Sequence, residues 1–149
     1  MTDHVSPLDE RLAAVAAHPH ADDQPVVMLN LNRYHHRAQY PAGTTGVDVD
    51  VSGREAYLRY GVVAYGAIQS VGGEILWATD AAETVIGCDH DEYDEVVAVW
   101  YPSRHAFLAL AAFPGYMEAL AHREAAIEQA ALIATRGEAT PVLTQPFAR

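Results

Sequence analysis

Between Ser52 and Thr135 the chain reads helix, strand, strand, helix, and the first helix runs out into Gly72-Gly73 just before a Trp-bearing strand at 74–79. With a strand at 25–34 in front and a last apolar run at 131–135, the order is βαββαβ, a split β-α-β unit. This order predicts an α+β fold in which one four-stranded sheet carries helices on one face.

The boundaries follow from local chemistry. Residues 26–34 are an apolar run that turns polar at its end, and strand alternation puts Met28, Asn30, Asn32 and Tyr34 on one face, Val27, Leu29, Leu31 and Arg33 on the other. Residues 35–51 hold Pro41, Gly43 and Gly46 with little periodicity, so they are read as a long connection of the kind that forms lids or dimer arms. Ser52 and Glu55 make a capping box, after which Tyr57, Tyr60, Ala64, Ile68 and Val71 mark a helical stripe. Gly72 is expected to end that helix in the left-handed conformation. Residues 81–87 are read as a short strand or strand-like link, and 94–101 as a central strand without a hydrophilic residue from Val96 to Val99. Ser103 caps the next helix, Pro114 interrupts it, and helical spacing then continues to about Glu128. In front of all this, Ser6 as N-cap with Pro7 and Asp9 predicts a short helix bearing Leu8, Leu12 and Val15. The expected organisation is an N-terminal helical extension (1–24), a ferredoxin-like domain (25–136) and an extended tail (137–149).

Nine Lys+Arg against 20 Asp+Glu give a formal charge of −11, which repels a phosphate backbone, so neither nucleic acid nor an anionic membrane is an expected partner. No apolar run approaches the roughly 18 residues of a membrane span, and the acidic start lacks a signal-peptide pattern. With a single cysteine, Cys88, no internal disulfide is possible, and a cytoplasmic location is expected.

The runs at 53–60, 72–74 and 94–103, followed by Pro114-Gly115-Tyr116 and His122-Arg123, give the chain a resemblance to the small bacterial proteins grouped as domain of unknown function 1330. The resemblance implies a dimeric α+β barrel: a homodimer of ferredoxin-like subunits whose sheets meet, with a cavity between each sheet and its helices. Enzymes on this scaffold include cofactor-free monooxygenases, isomerases and polyketide cyclases, beside haem-binding members, and fold does not choose among them. A second sheet face in need of cover points to a dimer independently.

The residues offer candidates for chemistry. His122 and Arg123 on a helix suit a proton carrier and an oxyanion clamp, or Arg123 merely pairs with an acid. Asn30 and Asn32 are amides on one strand face, able to orient a ligand oxygen or to bond the neighbouring backbone. Tyr34, Tyr57, Tyr60, Trp77, Trp100 and Tyr116 form an aromatic set suited to a flat pocket or to plain core packing, with Tyr60 and Trp77 expected to face each other across the helix–sheet cleft. The spacing of His18, His20, His35 and His36 fits no metal motif, and no phosphate loop or serine-hydrolase elbow occurs. Cys88 beside acids is a poor nucleophile. The leading expectation is a small homodimeric enzyme, without cofactor or metal, acting on a carbonyl or aromatic compound. Asn32 and Tyr60 would share its catalytic site with His122 and Arg123. The alternatives are a non-catalytic ligand-binding dimer and a haem- or metal-dependent relative.

Overall fold

The computed structural model describes residues 5–135. Its elements are α1 (Asp9–Ala16), β1 (Val26–Tyr34), α2 (Gly53–Ser70), β2 (Glu74–Asp80), β3 (Glu95–Tyr101), α3 (Arg104–Leu108), α4 (Tyr116–Ala126) and β4 (Ile127–Ala134), with short 3-10 turns at Asp89–Asp91 and Ala109–Ala112. The four strands form one antiparallel sheet in the order β2-β3-β1-β4. This is the ferredoxin-like α+β arrangement with an added N-terminal helix.

α2 begins where the sequence puts it. Ser52 Oγ accepts from the Glu55 amide at 3.1 Å while a Glu55 carboxylate oxygen accepts from the Ser52 amide at 2.8 Å, so two orphan donors of the first turn are satisfied reciprocally. Ser52→Ala should therefore lower the free energy of unfolding by about 1 kcal/mol in urea titration. At the other end Gly72 takes φ +79°, and its amide bonds the Gln69 carbonyl to close the helix.

The faces of β1 come out as alternation requires. Val26 and Met28 join Ala67, Ile68, Val99, Tyr101 and Leu110 in the core beneath the helices. A second cluster, Ala56, Ala126 and Ile127, closes the other end of the helix face and gathers Val5, Tyr34, Tyr57 and Ala130. On the opposite face the register aligns Leu29 with Ala98 and Ile133, Leu31 with Val96 and Ala131, and Val27 with Trp100. Among the described residues no helix is long and apolar enough to cross a membrane.

Four boundaries differ from expectation. α1 starts at Asp9 with Leu8 as an uncapped N-cap residue, so Ser6 does not cap it. Residues 81–87 form no strand, because β2 is already the edge of the sheet and the chain leaves it as a long hairpin loop closed by the Ala81 amide on the Asp94 carbonyl. Arg33 pins the far part of that loop by donating to the Asp89 and Glu92 carbonyls, at 3.0 and 3.3 Å. α4 ends at Ala126 and β4 starts at once with Ile127, not at Ala131, since Ile127 pairs with Tyr34 and is almost fully buried. Trp77 lies opposite Ala98 after a register shift between Ile75 and Trp77, on the face away from the helices. The predicted meeting of Trp77 with Tyr60 therefore does not occur. The expected tail at 137–149 lies outside the described residues.

Candidate functional site

Four tyrosines run in file between sheet and helices. Tyr34 comes from β1, Tyr57 and Tyr60 from one side of α2 by their three-residue spacing, and Tyr116 from the first turn of α4. Successive ring centroids stand 5.1, 5.4 and 5.9 Å apart, all tilted, the distances at which aromatic quadrupoles attract. Asn32, the most deeply buried polar side chain described at 2% exposure, donates from Nδ2 to the Tyr57 hydroxyl at 3.3 Å. Tyr34 donates to Glu95 at 2.7 Å, and Arg54 pairs with that carboxylate at 3.1 Å while its guanidinium lies 5.4 Å from the Tyr34 ring.

Burial sets the protonation of this file. Removal from water pushes the Tyr57 phenol up to about 12, with the neighbouring Tyr60 adding to the effect and Arg123 opposing it. Tyr34, Tyr60 and Tyr116 are likewise shifted upward, burial leading in each. All four phenols are thus protonated near neutrality. Tyr60 and Tyr116 meet hydroxyl to hydroxyl at 3.1 Å. One proton is consumed in that bond. The other has no protein acceptor among the described residues.

The remaining candidates separate. Asn30 gives its amide to the Met28 and Val97 carbonyls, both at 3.3 Å, and so is held by backbone. His122 and Arg123 do not act as a pair, because adjacent positions on a helix point about 100° apart. Arg123 donates to the Val5 carbonyl beside the tyrosine file, whereas His122 faces the 35–51 connection, its Nδ1 2.7 Å from the Tyr40 hydroxyl. Arg59 donates to the same hydroxyl at 3.0 Å and to the Asp48 carbonyl at 2.8 Å. Burial first, then the Arg59 charge, lower the His122 pKa, which favours the neutral imidazole, and its Nδ1 shares one hydrogen bond with the Tyr40 hydroxyl. Neither Tyr40 nor Arg59 stood out in the sequence, since Tyr40 sits in a segment without periodicity and Arg59 reads as an ordinary polar helix position. Trp77 and Trp100 lie on the other sheet face and share no site with Tyr57, Tyr60 or Tyr116. Among the described residues no three His, Cys, Asp or Glu side chains gather closely enough to hold a metal ion.

The ferredoxin-like α+β fold gives the class of the chain. The chain belongs to the family described as domain of unknown function (DUF1330), whose model matches residues 47–137. It is 34% identical to the methylated RPA0582 protein, covering 95% of this chain and 99% of that one with a TM-score of 0.81. It is 32% identical to RPA0582 from Rhodopseudomonas palustris in a second crystal structure, described as a protein of unknown function, covering 91% and 97% of the two chains with a TM-score of 0.79. A search of curated proteins finds no match.

Proposed function

We propose that the protein is a cytoplasmic homodimer, each subunit of which binds a small carbonyl-bearing molecule at the tyrosine file without a tightly bound cofactor. The observation that carries this reading is the hydroxyl pair of Tyr60 and Tyr116, whose mutual bond takes up only one of their two protons. The Asn32 amide and the nearby Arg123 charge support the same polarity, since both favour negative charge on a ligand oxygen. The homodimer rests on the second sheet face, where Trp77 and Ile133 are each 47% exposed beside Leu29, Leu31 and Val96. A panel of cyclic and aromatic ketones screened by thermal shift supplies the probe. The best binder should then lose about tenfold in affinity by calorimetry on Tyr60→Phe or Tyr116→Phe, the worth of one buried hydrogen bond. Unchanged affinity in both variants refutes the site.

Catalysis is the second reading, supported by one observation: a neutral imidazole, His122, held against a phenol, Tyr40, that a guanidinium also contacts. Such an arrangement moves a proton at a carbonyl compound in the manner of a cofactor-independent isomerase or cyclase. The ketone would then lie beside Tyr40 and His122 and not at the tyrosine file, so turnover that disappears in His122→Ala but survives Tyr60→Phe distinguishes this reading from the first.

A further inference from the structure

The N-terminal helix leaves its apolar stripe without a tight packing partner. Leu8, Leu12 and Val15 line up by helical spacing, yet no residue of α1 is buried, and all three border a cavity of about 550 Å³. The far wall is β4. Every residue from 129 to 134 lines the cavity, residues of both strand faces among them. The outer edge of the strand is free because β4 has a neighbour only in β1. Met28 and Phe107 add apolar wall. Its volume falls within the roughly 300–1,000 Å³ of small-molecule sites, and its lining mixes apolar side chains with a few polar ones.

The polar groups say which molecule suits it. Gln129 and Tyr93, which also line the space, are bonded to each other at 3.2 Å, and Gln129 accepts from Arg33 at 2.8 Å. Arg11 differs. In a chain where acids outnumber Lys+Arg 20 to 9, Arg33, Arg37 and Arg54 are paired with carboxylates and Arg59 and Arg123 with carbonyls, whereas the guanidinium groups of Arg11 and the buried Arg104 have no hydrogen bond or ion pair among the described residues, and of these two only Arg11 lines the cavity. An unpaired guanidinium beside the apolar Leu8, Leu12, Val15 and Leu132 complements one anionic head on an apolar body.

We propose that the space between α1 and β4 is a second binding site, for a small amphiphile consisting of an aliphatic chain and one carboxylate. The chain lies along Leu8, Leu12, Val15 and Leu132, and the carboxylate meets Arg11. α1 serves as the cover of the site.

Calorimetry of the full-length protein with decanoate, 1-decanol and acetate tests this. Decanoate should bind once per chain, 1-decanol about threefold more weakly because a solvent-exposed ion pair contributes little, and acetate not at all. Arg11→Gln should bring decanoate to the level of 1-decanol and leave 1-decanol unchanged. Leu12→Trp, which fills the cavity from its wall on a peripheral helix, should remove both, and Val15→Phe replaces it if circular dichroism shows unfolding. Absence of decanoate binding, decanoate binding that survives the filled cavity, or indifference to Arg11→Gln overturns the proposal. None of these outcomes bears on ketone binding at Tyr60 and Tyr116, which the filled cavity leaves in place.

Discussion

Leu29→Glu is expected to convert a species of twice 16.2 kDa into a monomer in light scattering, with the circular dichroism spectrum unchanged. Leu29 lies mid-strand in β1, between Ala98 of β3 and Ile133 of β4 on the face without helices. In a monomer a glutamate there faces water and costs little. Between two packed sheets the same carboxylate is buried without a partner, at about 3 kcal/mol or more, which weakens association roughly a hundredfold. Because the face repeats across a two-fold axis, each substitution enters the interface twice. A variant that remains dimeric shows that the subunits associate elsewhere. Trp77 fluorescence offers a second readout, as the indole is half exposed in the single subunit and shifts to the red if the sheets part.

The order of elements was legible because the signals that set it are local. A reciprocal cap at Ser52 and Glu55, a glycine at the end of α2 and strict alternation from Met28 to Tyr34 each act within a few residues, and the structure realises all three. What sequence reading missed depends on pairing across the sheet. Alternation from Ile75 puts Trp77 on the helix face, but one extra residue in β2 between Ile75 and Trp77 turns the indole to the other side. No signal in residues 74–79 marks that bulge. Glu128 reads as the end of a helix and Gln129 falls ahead of the strand expected from 131, yet both belong to β4, where Arg33 takes the carboxylate of one and the amide oxygen of the other. The site divides in the same way. Asn32, Tyr57, Tyr60 and Tyr116 come together because each sits on a predictable inner face, whereas Tyr40 reaches His122 from a connection whose path only tertiary contacts decide.

Gly53→Ala and Gly61→Ala should change stability in opposite directions although both lie in α2. At Gly53 an added Cβ falls within clashing distance of the His35 carbonyl oxygen and 2.8 Å from that of Ala126. Both are backbone atoms that cannot swing aside. They are also committed: the Gly53 amide donates to the His35 carbonyl at 3.1 Å, and the His35 amide to the Ala126 carbonyl at 2.9 Å, so one glycine joins the start of α2 to the ends of β1 and α4. Forcing a methyl into that junction should cost about 3 kcal/mol in urea unfolding. It should also tilt Tyr57 and Tyr60 away from Asn32 and Tyr116, so ketone affinity falls along with stability. Gly61 has open space where its Cβ would stand, and in a helix interior alanine is favoured over glycine by about 1 kcal/mol. Gly61→Ala should therefore stabilise the protein and leave binding unaltered. Equal effects at the two positions contradict the assigned junction, because helix propensity alone predicts a gain at both.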